Sequence, residues 1–149
     1  MGWRSRVKWG LVIVVGGLVL IQLIPVWLVE TNPGTHAEPA WDTPRTRQLM
    51  QRACFDCHSN DTQWPWYSRV APVSWLVTFD MWRGRRHLNL SEWTAPGGSR
   101  GEGADPARMA RDIQAGAMPP NTYLLMHPDA KLTDAEKQAL IDGILKTFK

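Results

Sequence analysis

The stretch "RACFDCHSN", residues 52–60, holds both cysteines of the chain, with a histidine directly behind the second. Cys54 and Cys57 at that spacing could serve three chemistries: a disulfide redox pair, half of a zinc site, or covalent attachment of haem. Zinc wants four Cys or His ligands, usually as two spaced pairs. Only one cysteine pair exists, and His36, His58, His87 and His127 form no second pair at ligand spacing. A thioredoxin-like motif wants a preceding strand and a βαβ pattern around it, and neither is legible. Haem attachment accounts for more of the residues. Two thiols one helical turn apart can add to the two vinyl groups of a haem, and the next residue then offers an imidazole to the iron.

A haem held by His58 has a second axial position to fill. Met118 is the leading candidate, because "GAMPP" sets a thioether on a loop stiffened by Pro119 and Pro120. Methionine opposite histidine raises the potential of the iron, as in electron-transfer cytochromes. Met126, His127 and His87 are the alternatives, whereas Met50, Met81 and Met109 fall at helical spacings that suit packing. Met126 too is expected to pack rather than ligate. Arg83, Arg85 and Arg86, the basic run outside the N-terminus, are candidate contacts for haem propionates; solvated surface charge is the competing reading.

These residues need elements to position them. Thr43 reads as an N-cap with Pro44 at the first helical position, opening a helix through Leu49, Met50 and Ala53 into the cysteine pair. Pro72 opens a second over "PVSWLVTFDMWRGRRHL", with Val73, Leu76, Val77 and Met81 as its apolar residues. Asp105, Pro106 and Gly116 delimit a third. Thr133 and Glu136 form a capping box at the start of the last, whose expected apolar face is Ile141, Ile144, Leu145 and Phe148. No convincing strand run is present. Between the second and third helices, "SEWTAPGGSRGEGADP" lacks the Gly-Lys-Ser/Thr of a phosphate loop and reads as a surface loop. Trp64, Trp66, Trp75, Trp82 and Trp93 suit haem-pocket walls and ordinary core packing equally.

Residues 10–29, "GLVIVVGGLVLIQLIPVWLV", carry no charge. Twenty helical residues would span roughly 30 Å, a bilayer's hydrocarbon thickness. Arg4, Arg6 and Lys8 precede the run, and the basic tail orients it with the N-terminus in the cytoplasm. The expectation is an uncleaved single-pass anchor rather than a signal peptide, which would have a shorter apolar core and a small-residue cleavage site. Lys and Arg total 17 against 14 Asp and Glu. Three of the positives lie in that tail, so the remainder balances and gives no case for nucleic-acid binding. The domain reading is 1–29 tail and anchor, 30–43 linker, and 44–149 haem domain.

The order Cys-x-x-Cys-His, Met-Pro-Pro in a loop, and a capped C-terminal helix resembles a class I cytochrome c. More closely, "ACFDCHSNDTQWPWYSRVAPVSWLV", "GRRHLNLSEW" and "MPPNTYLLMHPDAKLTDAE" resemble the small bacterial haem-binding-domain family of membrane-anchored single-haem proteins. The resemblance runs from about residue 43 to the end. It implies an all-α, class I cytochrome c-like domain behind one transmembrane helix, with one haem c bonded through Cys54 and Cys57 and held axially by His58. The expected function is single-electron transfer between membrane oxidoreductases or periplasmic carriers, or as a subunit of a respiratory or photosynthetic complex. No general base or nucleophile constellation points to an enzyme. The expected location is the bacterial inner membrane, with the haem domain on the periplasmic side. A haem sensor with a labile sixth position is the alternative.

Overall fold

A computed structural model describes residues 2–35, 37–93 and 104–148. Among the described residues the chain is all-helical, as expected, with no strand and a single isolated bridge between Ala37 and Glu92. In these residues seven α-helices follow one another: α1 (Trp3–Ile21), α2 (Pro44–Ala53), α3 (Phe55–His58), α4 (Val73–His87), α5 (Pro106–Gln114), α6 (Asn121–Leu124) and α7 (Asp134–Thr147). Most of the glycine-rich loop, residues 94–103, lies outside the described residues.

The anchor expectation is overturned. Among the described residues, no helix is long and apolar enough to cross a membrane. Helix α1 starts at Trp3, so its first turns carry Arg4, Arg6 and Lys8, and it ends at Ile21. Pro25 is the reason for that end: proline cannot continue a helix and disfavours helical backbone in the residue before it. Within α1 the charge-free stretch is Trp9–Ile21. Thirteen residues rise about 20 Å at 1.5 Å each, well short of the roughly 30 Å a span needs. The single-pass inner-membrane placement, with a periplasmic haem domain behind the helix, falls with it.

The described chain forms two compact units. One comprises Met1–Thr31 and Trp64–Phe79; the other comprises Asn32–Gln63 and Asp80–Lys149. In the first, Gln22 clamps Ala71 from both sides, its Nε2 donating to the Ala71 carbonyl (2.9 Å) and its Oε1 accepting from the Ala71 N–H (3.0 Å). Trp66 meets the edge of Tyr67 at 5.7 Å and is largely exposed. The apolar residues expected of α4 divide: Val73 and Leu76 face solvent, while Met81 is buried.

The second unit contains the cysteine pair. Its core joins Leu49, Met50 and Ala53 of α2 to Phe55, Leu88, Leu90, Ile113, Leu132 and, from α7, Leu140, Ile141 and Ile144. Leu140 takes a core place that the sequence pattern had given to Leu145, which is exposed. Helices α2 and α7 approach so closely that a Cβ at Gly143 would overlap the Thr46 side chain. All three expected caps form. The Thr43 Oγ accepts from the Thr46 N–H with Pro44 at N1, Asp105 accepts from the Ala107 N–H, and Thr133 and Glu136 make a reciprocal box. Gly116, at φ +69°, closes α5 in the left-handed conformation that favours glycine.

The segment read as a linker is fastened to this unit from Asn32 on. Ala37 exchanges backbone bonds with Ser91 and Trp93. Arg47 grips Glu38 with two bonds of 2.7 Å, and Trp41 donates to the same carboxylate. Trp41 and Trp93 pack on Phe148, at 6.0 and 4.5 Å between ring centroids, so both tryptophans serve the core.

Candidate haem site

Helix α2 delivers Cys54 to its C-cap, with the Cys54 N–H on the Met50 carbonyl, and the single turn α3 follows at once. The Cys54 carbonyl accepts from the N–H groups of Cys57 (3.3 Å) and His58 (2.9 Å), which puts the two sulfurs one turn apart. Both thiols are free. Burial pushes the Cys54 thiol up to about 12 and the Cys57 thiol up to about 11, with Asp56 and Asp80 adding to the latter. Both are therefore protonated at neutral pH. A dithiol oxidoreductase needs the opposite, a cysteine whose pKa is lowered toward or below 7.

The imidazole of His58 is fixed before any metal is considered. Its Nδ1 lies 3.1 Å from the Gly84 carbonyl oxygen and 3.2 Å from that of Leu88. Both partners can only accept, so Nδ1 carries the proton and Nε2 keeps its lone pair. Burial lowers the pKa of the ring, partly offset by those two carbonyls, and so favours the neutral form. A neutral imidazole whose outer N–H is held by a backbone carbonyl is the state in which histidine ligates a metal.

The turn of α4 that holds His58 sits against the cysteine turn. A Cβ at Gly84 would collide with the Cys57 carbonyl oxygen and lie 3.0 Å from the Cys57 carbonyl carbon and Cβ. Only glycine allows this approach. Behind it runs a network of buried polar groups that sequence reasoning missed. Asn89 donates to Asn60 (2.9 Å) and accepts from the Ser91 N–H (3.0 Å), while the Asn60 N–H donates to Ser91 Oγ (2.9 Å). The Leu90 N–H reaches the His58 carbonyl at 2.7 Å. The available signal was the recurrence of Asn and Ser in "SND" and "NLS", two short runs that pair in the fold.

The arginine run takes separate roles. Arg85 is committed within the fold, donating to the Ser59 carbonyl (2.8 Å), Thr62 Oγ1 (2.9 Å) and Asn32 Oδ1 (3.2 Å). Arg86 lies over the Trp82 ring at 4.8 Å, and Arg83 and Arg86 are exposed. Met118 follows α5 with its N–H on the Asp112 carbonyl and its side chain 40% exposed, outside the core. Met50 and Met81 are core residues, and Met109 packs against the core. Met126, expected to pack, is 56% exposed instead. His127 stacks on Tyr123 at 4.0 Å with its Nδ1 at the Tyr123 carbonyl. His87 is half-buried at the end of α4.

Among the described residues, no group of three or more His, Cys, Asp or Glu is placed to cage a metal ion. One oriented neutral histidine beside two reduced thiols fits an iron that brings its own four equatorial nitrogens. In an all-helical frame, that donor set defines a haem-binding helical protein. The model of the haem-binding domain family matches residues 16–146, and the chain belongs to that family. No curated protein and no solved structure matches it.

Proposed function

We propose that the protein is a mono-haem c-type cytochrome that passes single electrons between redox proteins. Cys54 and Cys57 would form thioethers to the two vinyl groups, and His58 Nε2 would ligate the iron. Haem c supplies a one-electron iron couple; the chain fastens it, orients the axial imidazole and excludes water with the α2–α3–α4 packing. No substrate chemistry is involved. The observation that carries this reading is the imidazole held through Nδ1 by Gly84 and Leu88, one residue after a free Cys-x-x-Cys pair.

The test is covalency. Denatured full-length protein should retain haem stain on a gel, and the Cys54→Ala/Cys57→Ala double variant should lose it. Release of all haem into acid acetone by the wild type would end the c-type reading. A second reading, a haem sensor with a labile sixth position, draws on the exposure of Met118 and Met126. Carbon monoxide separates the two. A carrier closed by Met118 resists it until Met118→Ala opens the site, whereas a sensor binds it in the wild type.

A further inference from the structure

Asp56, one of the two residues between the cysteines, uses both carboxylate oxygens. Oδ1 accepts from the Gln63 N–H at 2.9 Å, and Oδ2 accepts from the Tyr123 hydroxyl at 2.6 Å. The second distance is that of a charge-assisted O–H···O bond, about twice as strong as a neutral one. Tyr123 stands 67 residues away in sequence, on the single turn α6, five residues after Met118. Around Tyr123 the chain is wound tightly. The Tyr123 and Leu124 N–H groups bond the Pro120 carbonyl, and the Met126 and His127 N–H groups bond the Tyr123 carbonyl. The His127 ring lies flat on the Tyr123 ring, 12° from parallel. Met118, Met126 and His127, three of the four candidate sixth ligands, therefore belong to one short segment centred on Tyr123.

We propose that the Tyr123–Asp56 hydrogen bond is the latch that holds this segment to the haem-attachment turn, making Tyr123 a positioning residue for the iron's second axial ligand. The inference rests on the haem reading of Cys54, Cys57 and His58. It does not depend on which donor in the segment binds. Burial and the neighbouring Asp56 raise the hydroxyl's pKa far above neutrality, so Tyr123 stays a donor at working pH. Leaving the carboxylate without that donor costs more than the bond itself contributes, because a half-buried charge loses a partner.

The test uses the full-length, haem-loaded native protein. Tyr123→Phe removes one oxygen and nothing else. Amide exchange across residues 123–127 should accelerate about tenfold, the factor that corresponds to loss of a hydrogen bond to a charged group. Carbon monoxide should bind the ferrous protein at least about tenfold faster by the same reasoning. Asp56→Ala should give the same two changes, and the double variant should add little to either, since partners in one bond are non-additive. Thr133→Ala, which removes the cap of α7 at comparable stability cost, should leave carbon monoxide binding unchanged. Unaltered exchange and carbon monoxide binding in Tyr123→Phe would overturn the latch, as would additive effects of the two variants or equal opening by Thr133→Ala. Failure of the underlying reading is separately visible, as a wild-type chain that takes no haem stain.

Discussion

Gly84→Ala is the sharpest probe of how the site is built. The added methyl group would overlap the Cys57 carbonyl oxygen and sit 3.0 Å from the Cys57 carbonyl carbon and Cβ. None of these atoms ends a flexible side chain, so either the last turns of α4 or the Cys54–His58 turn must shift. Overpacking costs about 1–3 kcal/mol, and backbone obstruction puts this case at the upper end. Alanine returns up to about 1 kcal/mol of helix propensity relative to glycine. The net expectation is a loss of about 2 kcal/mol, or a fall in Tm of roughly 4–8 °C for a chain of this size. The same shift moves the Gly84 carbonyl, an acceptor for His58 Nδ1, so the midpoint potential of the haem should change as well. Two glycines calibrate the result. Gly116→Ala has open space but φ +69°, and should cost about 1 kcal/mol from backbone strain. Gly10→Ala lies in α1 with nothing within 4 Å and should be neutral or slightly stabilising. Thermal and urea unfolding followed by circular dichroism give the order. If Gly84→Ala melts with the wild type, or harms it less than Gly116→Ala, the close approach of α4 to Cys57 does not set the packing of the site.

Two further perturbations report on the frame of the unit that holds the cysteine pair. Asn89→Ala strips partners from Asn60 Oδ1 and the Ser91 N–H, both in the buried network behind His58; at roughly 1–3 kcal/mol per orphaned group, the urea midpoint should drop clearly, and an unchanged midpoint would mean water replaces Asn89 at no cost. The Glu136 carboxyl is lowered to about 2, first by the Thr133 N–H and then by Arg52. Since the unfolded chain binds that proton near pH 4.5 and the folded chain only near 2, this contribution is complete above about pH 4.5 and disappears as pH falls toward 2. Glu136→Gln should therefore flatten the acid limb of the stability curve in that window; a limb as steep as the wild type's would assign the acid sensitivity to other carboxyls.

What could be read from the sequence was what is decided locally. Thr43 with Pro44, Asp105 with Pro106, and Thr133 with Glu136 each settle a helix start within four residues, and all three are found where the residue types placed them. The Cys54–His58 turn is equally local. The errors lie where distant chain decides. The apolar run from residue 10 to 29 has the composition of a membrane span, but counting apolar residues ignores Pro25, and α1 stops at Ile21. Residues 30–43 have the prolines of a linker, Pro33 and Pro39, yet the Ala37 backbone pairs with Ser91 and Trp93, and Trp41 finds the core, through partners some 50–110 positions away. Arg85, read as a propionate contact or a solvated charge, donates to the Ser59 carbonyl, a partner that leaves no mark in the sequence. Tyr123 was hidden for the same reason: its partner Asp56 is 67 positions upstream.

The choice of partner for His58 bears on the proposed redox role. A helix leaves its last carbonyls without intrahelical donors. Leu88 follows directly on the last residue of α4, and its oxygen takes the His58 Nδ1–H instead. One bond thus satisfies an orphan acceptor and fixes the imidazole. A carboxylate in that place would also fix the ring, but it would push a full negative charge toward the ligand and raise its basicity further, favouring ferric iron. Two carbonyls bring only the partial charge of a helix end. On the proposed reading, the arrangement would orient His58 as an axial ligand while restraining its donor strength, which would hold the potential up. That combination would suit a carrier that must accept an electron as readily as it gives one. A haem built to activate oxygen has the opposite requirement, a strongly donating proximal ligand such as thiolate, and nothing in the last turn of α4 supplies that push to His58.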